Sequence, residues 1–114
     1  MPFEPPSQTG VATSSFALII THIFVVAANE EILFRAAIPD LLPIEGLQAQ
    51  AVSAVLFGLF HWTAYGAVWC GILFAIFAGF IFGWIVERWE TGLVAAIGVH
   101  SAWNLFVLGA VVLF

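Results

Sequence analysis

The feature that most constrains this chain is a run of 41 residues, 46–86, that contains no Asp, Glu, Lys or Arg. Two more charge-free runs flank it, at 5–29 and 91–114. A helix that crosses the hydrocarbon core of a bilayer needs about 20 apolar residues, so the central run is long enough to cross twice and must turn back. Its segments are continuously apolar and do not alternate with period two, which favours helices over a β-barrel. Composition agrees: 8% of the residues are charged, against about 25% in a soluble domain. That excludes a soluble monomer, and the apolar content excludes a disordered chain. With two basic residues, Arg35 and Arg88, there is almost no positive charge to meet phosphates, so nucleic acid is excluded as a partner. One cysteine, Cys70, allows neither an internal disulfide nor a multi-cysteine zinc site.

The breaks between the runs have local causes. Pro39, Asp40 and Pro43 are expected to end the first helix, because proline lacks an N–H and disfavours helix at the residue before it. Tyr65-Gly66-Ala67 is the natural turn inside the long run, and residues 87–92 (ERWETG) form a polar turn with an interfacial tryptophan. The pattern predicts an all-α, polytopic transmembrane bundle of four helices, at about 13–38, 49–65, 67–86 and 93–114, behind a flexible tail over 1–12. No basic region precedes the first apolar stretch, which is too long for a signal-peptide core and is expected to be retained. Arg35 and Arg88 fall at one face of this bundle, which the positive-inside rule makes cytoplasmic. Gly71, Ala75, Gly79 and Gly83 form a four-residue ridge on the third helix, read as a packing surface.

Against this background the polar residues inside the spans stand out. Ionisable groups within a bilayer are costly and point to function, and the chain places His22, Glu30, Glu31, Arg35, His61 and His100 there, with Asn29 and Asn104 beside them. Four-residue spacing puts Glu31 with Arg35, Phe57 with His61, and His100 with Asn104 on shared helix faces. At 1.5 Å per residue, Glu30, His61, His100 and Asn104 all lie about 10–18 Å from the cytoplasmic face. They are therefore able to converge into one polar intramembrane cavity. A carboxylate and two imidazoles in an apolar enclosure carry the ingredients of general acid/base catalysis. The amide of Asn104 could support an oxyanion. Glu30, His61 and His100 also match the ligand types of a catalytic zinc site. His22 has no such partner and is read as a packing or lumen-lining residue.

Three motifs appear in order on successive apolar segments: Glu30-Glu31-Ile32-Leu33-Phe34-Arg35, Phe57-Gly58-Leu59-Phe60-His61, and His100-Ser101-Ala102-Trp103-Asn104. Together they resemble the CPBP family of intramembrane proteases, which includes the type II CAAX prenyl proteases and the abortive-infection or bacteriocin-immunity proteins. The likeness covers about residues 29–105. It implies a helical membrane enzyme that hydrolyses a peptide bond near the cytoplasmic side. On this chain it makes Glu30 the activator of the attacking water, helped by His61, with His100 and Asn104 stabilising the oxyanion. Glu31 and Arg35 become a salt bridge that orients Glu30, and Phe57 a packing residue one turn before His61. A metal-free, glutamate-based mechanism is preferred, with no cofactor. In the metal-dependent form Glu30, His61 and His100 would hold zinc.

The family resemblance also implies further helices ahead of the first motif, where this sequence has only a short tail. The expected partners are the lipid bilayer, a membrane-anchored protein or peptide substrate, and a homo-oligomeric neighbour or additional helices that complete the cavity. The expected location is the cell membrane of a prokaryote. The competing readings are a non-enzymatic membrane immunity or binding protein of the same family, and a small proton-coupled carrier.

Overall fold

The computed structural model describes residues 8–62 and 68–113. Among them every regular element is helical: α1 (Gln8–Glu31), a π-helical segment (Ile32–Ala37), α2 (Ile38–Leu41), α3 (Gly46–Phe60), α4 (Trp69–Arg88) and α5 (Gly92–Leu113). The expected all-α membrane bundle is what forms. Three stretches are long and apolar enough to cross a membrane, Ser15–Leu41, Trp69–Arg88 and Gly92–Val111. The 15-residue α3 reaches only about 22 Å along its axis.

The first helix departs from expectation at both ends. It already runs at Gln8, inside the stretch expected as a tail, because no proline interrupts it between Pro6 and Pro39. It also passes through Pro39 to Leu41 and stops where Leu42 turns extended at ψ 145°. The passage has a physical cause. A proline in a helix removes one N–H and its ring crowds the carbonyl four residues back, which here belongs to Arg35. The chain answers with a π segment in which the Ile38 N–H reaches the carbonyl of Leu33, five residues back. A π turn holds more residues than the 3.6 of an α turn and so relieves that crowding.

The remaining helices sit close to their expected places. α3 ends at Phe60, earlier than expected, with the His61 N–H bonded back to the carbonyls of Phe57 and Gly58. The expected turn at Tyr65-Gly66-Ala67 lies outside the described residues. Gly46 opens α3 with φ +60°, a conformation that glycine adopts at no steric cost.

Packing follows the small residues. α3 lies along α4, α4 along α5, and α1 along α5, while α1 and α3 do not pack on each other. The ridge on α4 is the surface that receives α3. A Cβ added at Gly79 would stand 3.1 Å from Ala54, and one at Gly83 would stand 2.8 Å from the Cβ of Gln50. Close backbone approach through small residues is how helices associate in lipid, where apolar side chains gain nothing by leaving the solvent. Two buried clusters complete the core: Phe34, Phe57 and Ala75 around the π segment, and Phe82, Ile85 and Ala96 between α4 and α5.

Candidate functional site

The polar residues gather where the π segment meets α3, α4 and α5. Glu31 and Arg35 pair within the first helix, with Arg35 Nε 3.1 Å from Glu31 Oε2, both side chains fully enclosed. The other oxygen of Glu31 reaches across the bundle to His100 Nδ1 at 2.8 Å. Glu31 therefore uses one oxygen to hold Arg35 and the other to hold His100. The pairing of Glu31 with Arg35 is expected to orient Glu30; the contacts Glu31 makes are with Arg35 and His100. A salt bridge with additional hydrogen bonds is the arrangement in which buried charges are tolerated.

Arg35 is only 2% exposed, so it does not act as an interfacial charge. Of the two basic residues used to orient the chain in the membrane, Arg88 alone lies at the surface. The guanidinium of Arg35 sits over the rings of Phe57 at 4.9 Å and Phe82 at 5.9 Å. Its Nη2 finds no hydrogen-bond acceptor among the described residues and rests beside Gly79, where a Cβ would stand 3.2 Å away. Cation–π attraction is strongest when desolvated, which offsets the missing acceptor.

Glu30 and the two histidines form a second, looser group. His61 Nε2 lies 3.7 Å from Glu30 Oε2, and His100 Nε2 lies 3.6 Å from the same oxygen. His61 Nδ1 is 2.7 Å from the carbonyl of Phe57. A carbonyl oxygen only accepts, so this nitrogen carries its hydrogen and Nε2 is the basic atom of the neutral ring. The rings are fixed by aromatic contacts. Phe57 lies 4.4 Å from His61 and edge-on to His100 at 5.9 Å, while Phe82 stacks on His100 at 5.1 Å. Phe57 thus touches Arg35 and both histidines, a larger part than filling space one turn before His61.

Asn104 is half-buried on α5, one turn beyond His100. With Phe57, His61, Phe82 and His100 it lines a small cavity of about 80 Å³. His22 lies apart, exposed on α1, and lines an outer groove of about 340 Å³ that reaches Asn104. The oxygen and nitrogen donors of Glu30, His61 and His100 are of the types that zinc takes. Among the described residues, however, no three His, Cys, Asp or Glu side chains are arranged to hold a metal ion.

Two buried residues of the site were not singled out from sequence. Pro39 has no N–H to offer the carbonyl of Arg35, and the Ile38 N–H is spent on Leu33, so the carbonyls of Phe34 and Arg35 lose the donors a regular helix would supply. α3 supplies replacements. Gln50 Nε2 donates to the Arg35 carbonyl at 3.0 Å, and Ser53 Oγ donates to the Phe34 carbonyl. Gln50 Nε2 also reaches Glu87 Oε1 at 3.2 Å. The signal was present in principle: two polar residues three apart on the helix that follows a proline-interrupted one.

A family model described as Type II CAAX prenyl endopeptidase Rce1-like matches residues 12–106. That range contains all three motifs and every residue of the site just described. None of the curated proteins compared and none of the solved structures matches the chain.

Proposed function

The chain belongs to the Rce1-like family of type II CAAX prenyl endopeptidases, a membrane protease family, and from that premise we propose that it cleaves a peptide bond within or beside the bilayer by a glutamate-activated water. The observation that carries the reading is the approach of one carboxylate oxygen, Glu30 Oε2, to the Nε2 atoms of both histidines at 3.6–3.7 Å. The Glu30 side chain is 18% exposed, among the apolar side chains of Val26, Leu33, Phe34 and Phe60, where a general base is shielded from bulk water.

Glu30 takes a proton from water as the water oxygen bonds to the scissile carbonyl carbon. His61, held through Nδ1, shares the proton through Nε2. His100 and Asn104 donate to the carbonyl oxygen as it gains negative charge. When the ring of His100 donates through Nε2 as well as Nδ1 it is positively charged, and the Glu31 carboxylate at 2.8 Å offsets that charge. The tetrahedral intermediate then collapses, the C–N bond breaks, and the proton on Glu30 passes to the leaving amine. The substrate in this reading is a membrane-anchored protein or peptide, and the protein's place is the cell membrane.

The test is proteolysis by purified protein in liposomes. Glu30→Gln and His61→Ala each lower kcat by at least about a hundredfold, the contribution expected of a positioned acid–base group, while both variants keep the wild-type unfolding temperature. Cleavage at the wild-type rate by both variants would overturn the reading.

A further inference from the structure

Asn29 takes no part in the ion pairs and hydrogen bonds of the site. It sits near the middle of the first membrane-spanning stretch, Ser15–Leu41, yet its side chain is exposed and makes no hydrogen bond among the described residues. An amide placed in hydrocarbon without a partner is strongly disfavoured, because the hydrogen bonds it made to water are not replaced. Polar side chains in that position normally turn toward a neighbouring helix. Asn29 does not, because α1 and α3 do not pack on each other. Instead the two helices border an open cleft of about 230 Å³, lined by Val26, Asn29, Glu30, Leu33, Phe34 and Phe60.

This cleft is continuous with the site through Glu30, whose carboxylate forms part of its wall. Val26, Asn29 and Leu33 lie at i, i+3 and i+7, one stripe of the helix. The cleft is therefore an apolar trough with a single unpartnered amide beside the general base. A peptide bond about to be hydrolysed has the complementary problem. To be attacked it must be unwound from a helix, and its N–H and C=O groups then have no partner in lipid.

We infer that the α1–α3 cleft is the substrate-binding groove and that the Asn29 side-chain amide pairs with the backbone of an extended substrate segment beside the scissile bond. An asparagine offers both a carbonyl acceptor and an NH2 donor, so it can engage a peptide N–H and C=O together. Phe34 and Phe60, with ring centroids 5.5 Å apart, form an aromatic part of the trough wall. Recognition of this kind reads the backbone, so the groove accepts apolar segments of varied sequence, with side chains that fit beside Val26, Leu33 and Phe60. The inference rests on the protease reading for the identity of the scissile bond, and its binding part stands independently.

The experiment uses the full chain in detergent micelles and a short, end-capped apolar peptide carrying a fluorophore and quencher, with and without N-methylation of the central amide. Peptide affinity is measured on the Glu30→Gln background and cleavage on the wild type. Asn29→Leu weakens binding and raises KM about tenfold, as expected for one or two lost hydrogen bonds, with kcat changed by no more than about twofold. Asn29→Gln, which keeps the amide, recovers most of the affinity. N-methylation weakens binding to the asparagine form and has no further effect on the Asn29→Leu form, a coupling that a merely structural role would not produce. Unchanged affinity in Asn29→Leu overturns the inference, and so does equal sensitivity of both forms to N-methylation. Disulfide-linked dimers of an Asn29→Cys, Cys70→Ser chain in liposomes also overturn it, because a second copy then fills the cleft. Asn29-dependent binding without cleavage by the wild type sinks the protease reading and leaves the groove assignment standing.

Discussion

The two halves of the first membrane helix have similar apolar backgrounds and opposite fates. From Ser15 to Val26 the helix faces outward, with Phe16 65% and Leu18 70% exposed. From Glu31 to Pro39 it is drawn into the bundle, where Glu31, Phe34, Arg35 and Pro39 are buried. In water the more apolar half would be the buried one. In lipid the tails are as apolar as leucine, so no hydrophobic force pulls an apolar stretch inward. Polar groups and freed backbone carbonyls must instead find partners within the protein, and the half that carries them is the half that becomes the core.

The strongest way to break this contrast is to remove the centre of the polar half. Arg35→Met leaves the Glu31 carboxylate buried against His100 without its cation, and unpairing a buried charge costs about 3–5 kcal/mol. A large fall in the detergent unfolding temperature is expected, and a shift of less than a degree would mean that ion pairing does not organise the bundle.

Next in size is the clamp from α3. Gln50→Leu leaves the Arg35 carbonyl unsatisfied and is expected to cost about 1–3 kcal/mol. Adding Pro39→Ala supplies a backbone N–H at the position that lacked one, so the double variant recovers part of the loss. Chemical denaturation of the four-member cycle measures the coupling, and strictly additive losses would show that Gln50 does not compensate for the proline.

A smaller effect is expected on the α4 ridge. Gly83→Ala adds a Cβ 2.8 Å from that of Gln50, an overpacking worth about 1–3 kcal/mol at most sites of this kind. The unfolding temperature should fall moderately, and a rise would mean that the α3–α4 interface has room to spare. The smallest effect belongs to the outward half. Phe16→Ala and Leu18→Ala remove large side chains from the lipid-facing surface, and each should stay within about 0.5 kcal/mol of wild type. A loss of several kcal/mol from either would show that an unseen partner covers that face.

The site was legible to different depths. Glu31 and Arg35 could be paired from their four-residue spacing, because helix geometry makes that distance a contact. The contact between Glu31 and His100 could not, since 69 positions separate them and nothing local fixes how α5 turns against the first helix. The π segment was equally hidden. Pro39 signalled a break, but whether a proline ends a helix or is absorbed within it depends on whether a neighbour can satisfy the carbonyls it frees. Ser53 and Gln50 do so here, and the helix continues to Leu41.

The sequence by itself determined that this is a helical membrane protein, where its charge-free spans lie, and which three motifs carry its family. Those properties depend on composition and short-range spacing, which the chain states directly. Only the tertiary structure decided that Glu31 serves His100, that Arg35 is core and not interface, that α3 repairs the helix opened by Pro39, and that α1 and α3 stand apart over Glu30. Each of these follows from a buried polar group meeting a partner distant in the chain, or failing to meet one. In lipid that matching of donors and acceptors sets how the helices sit.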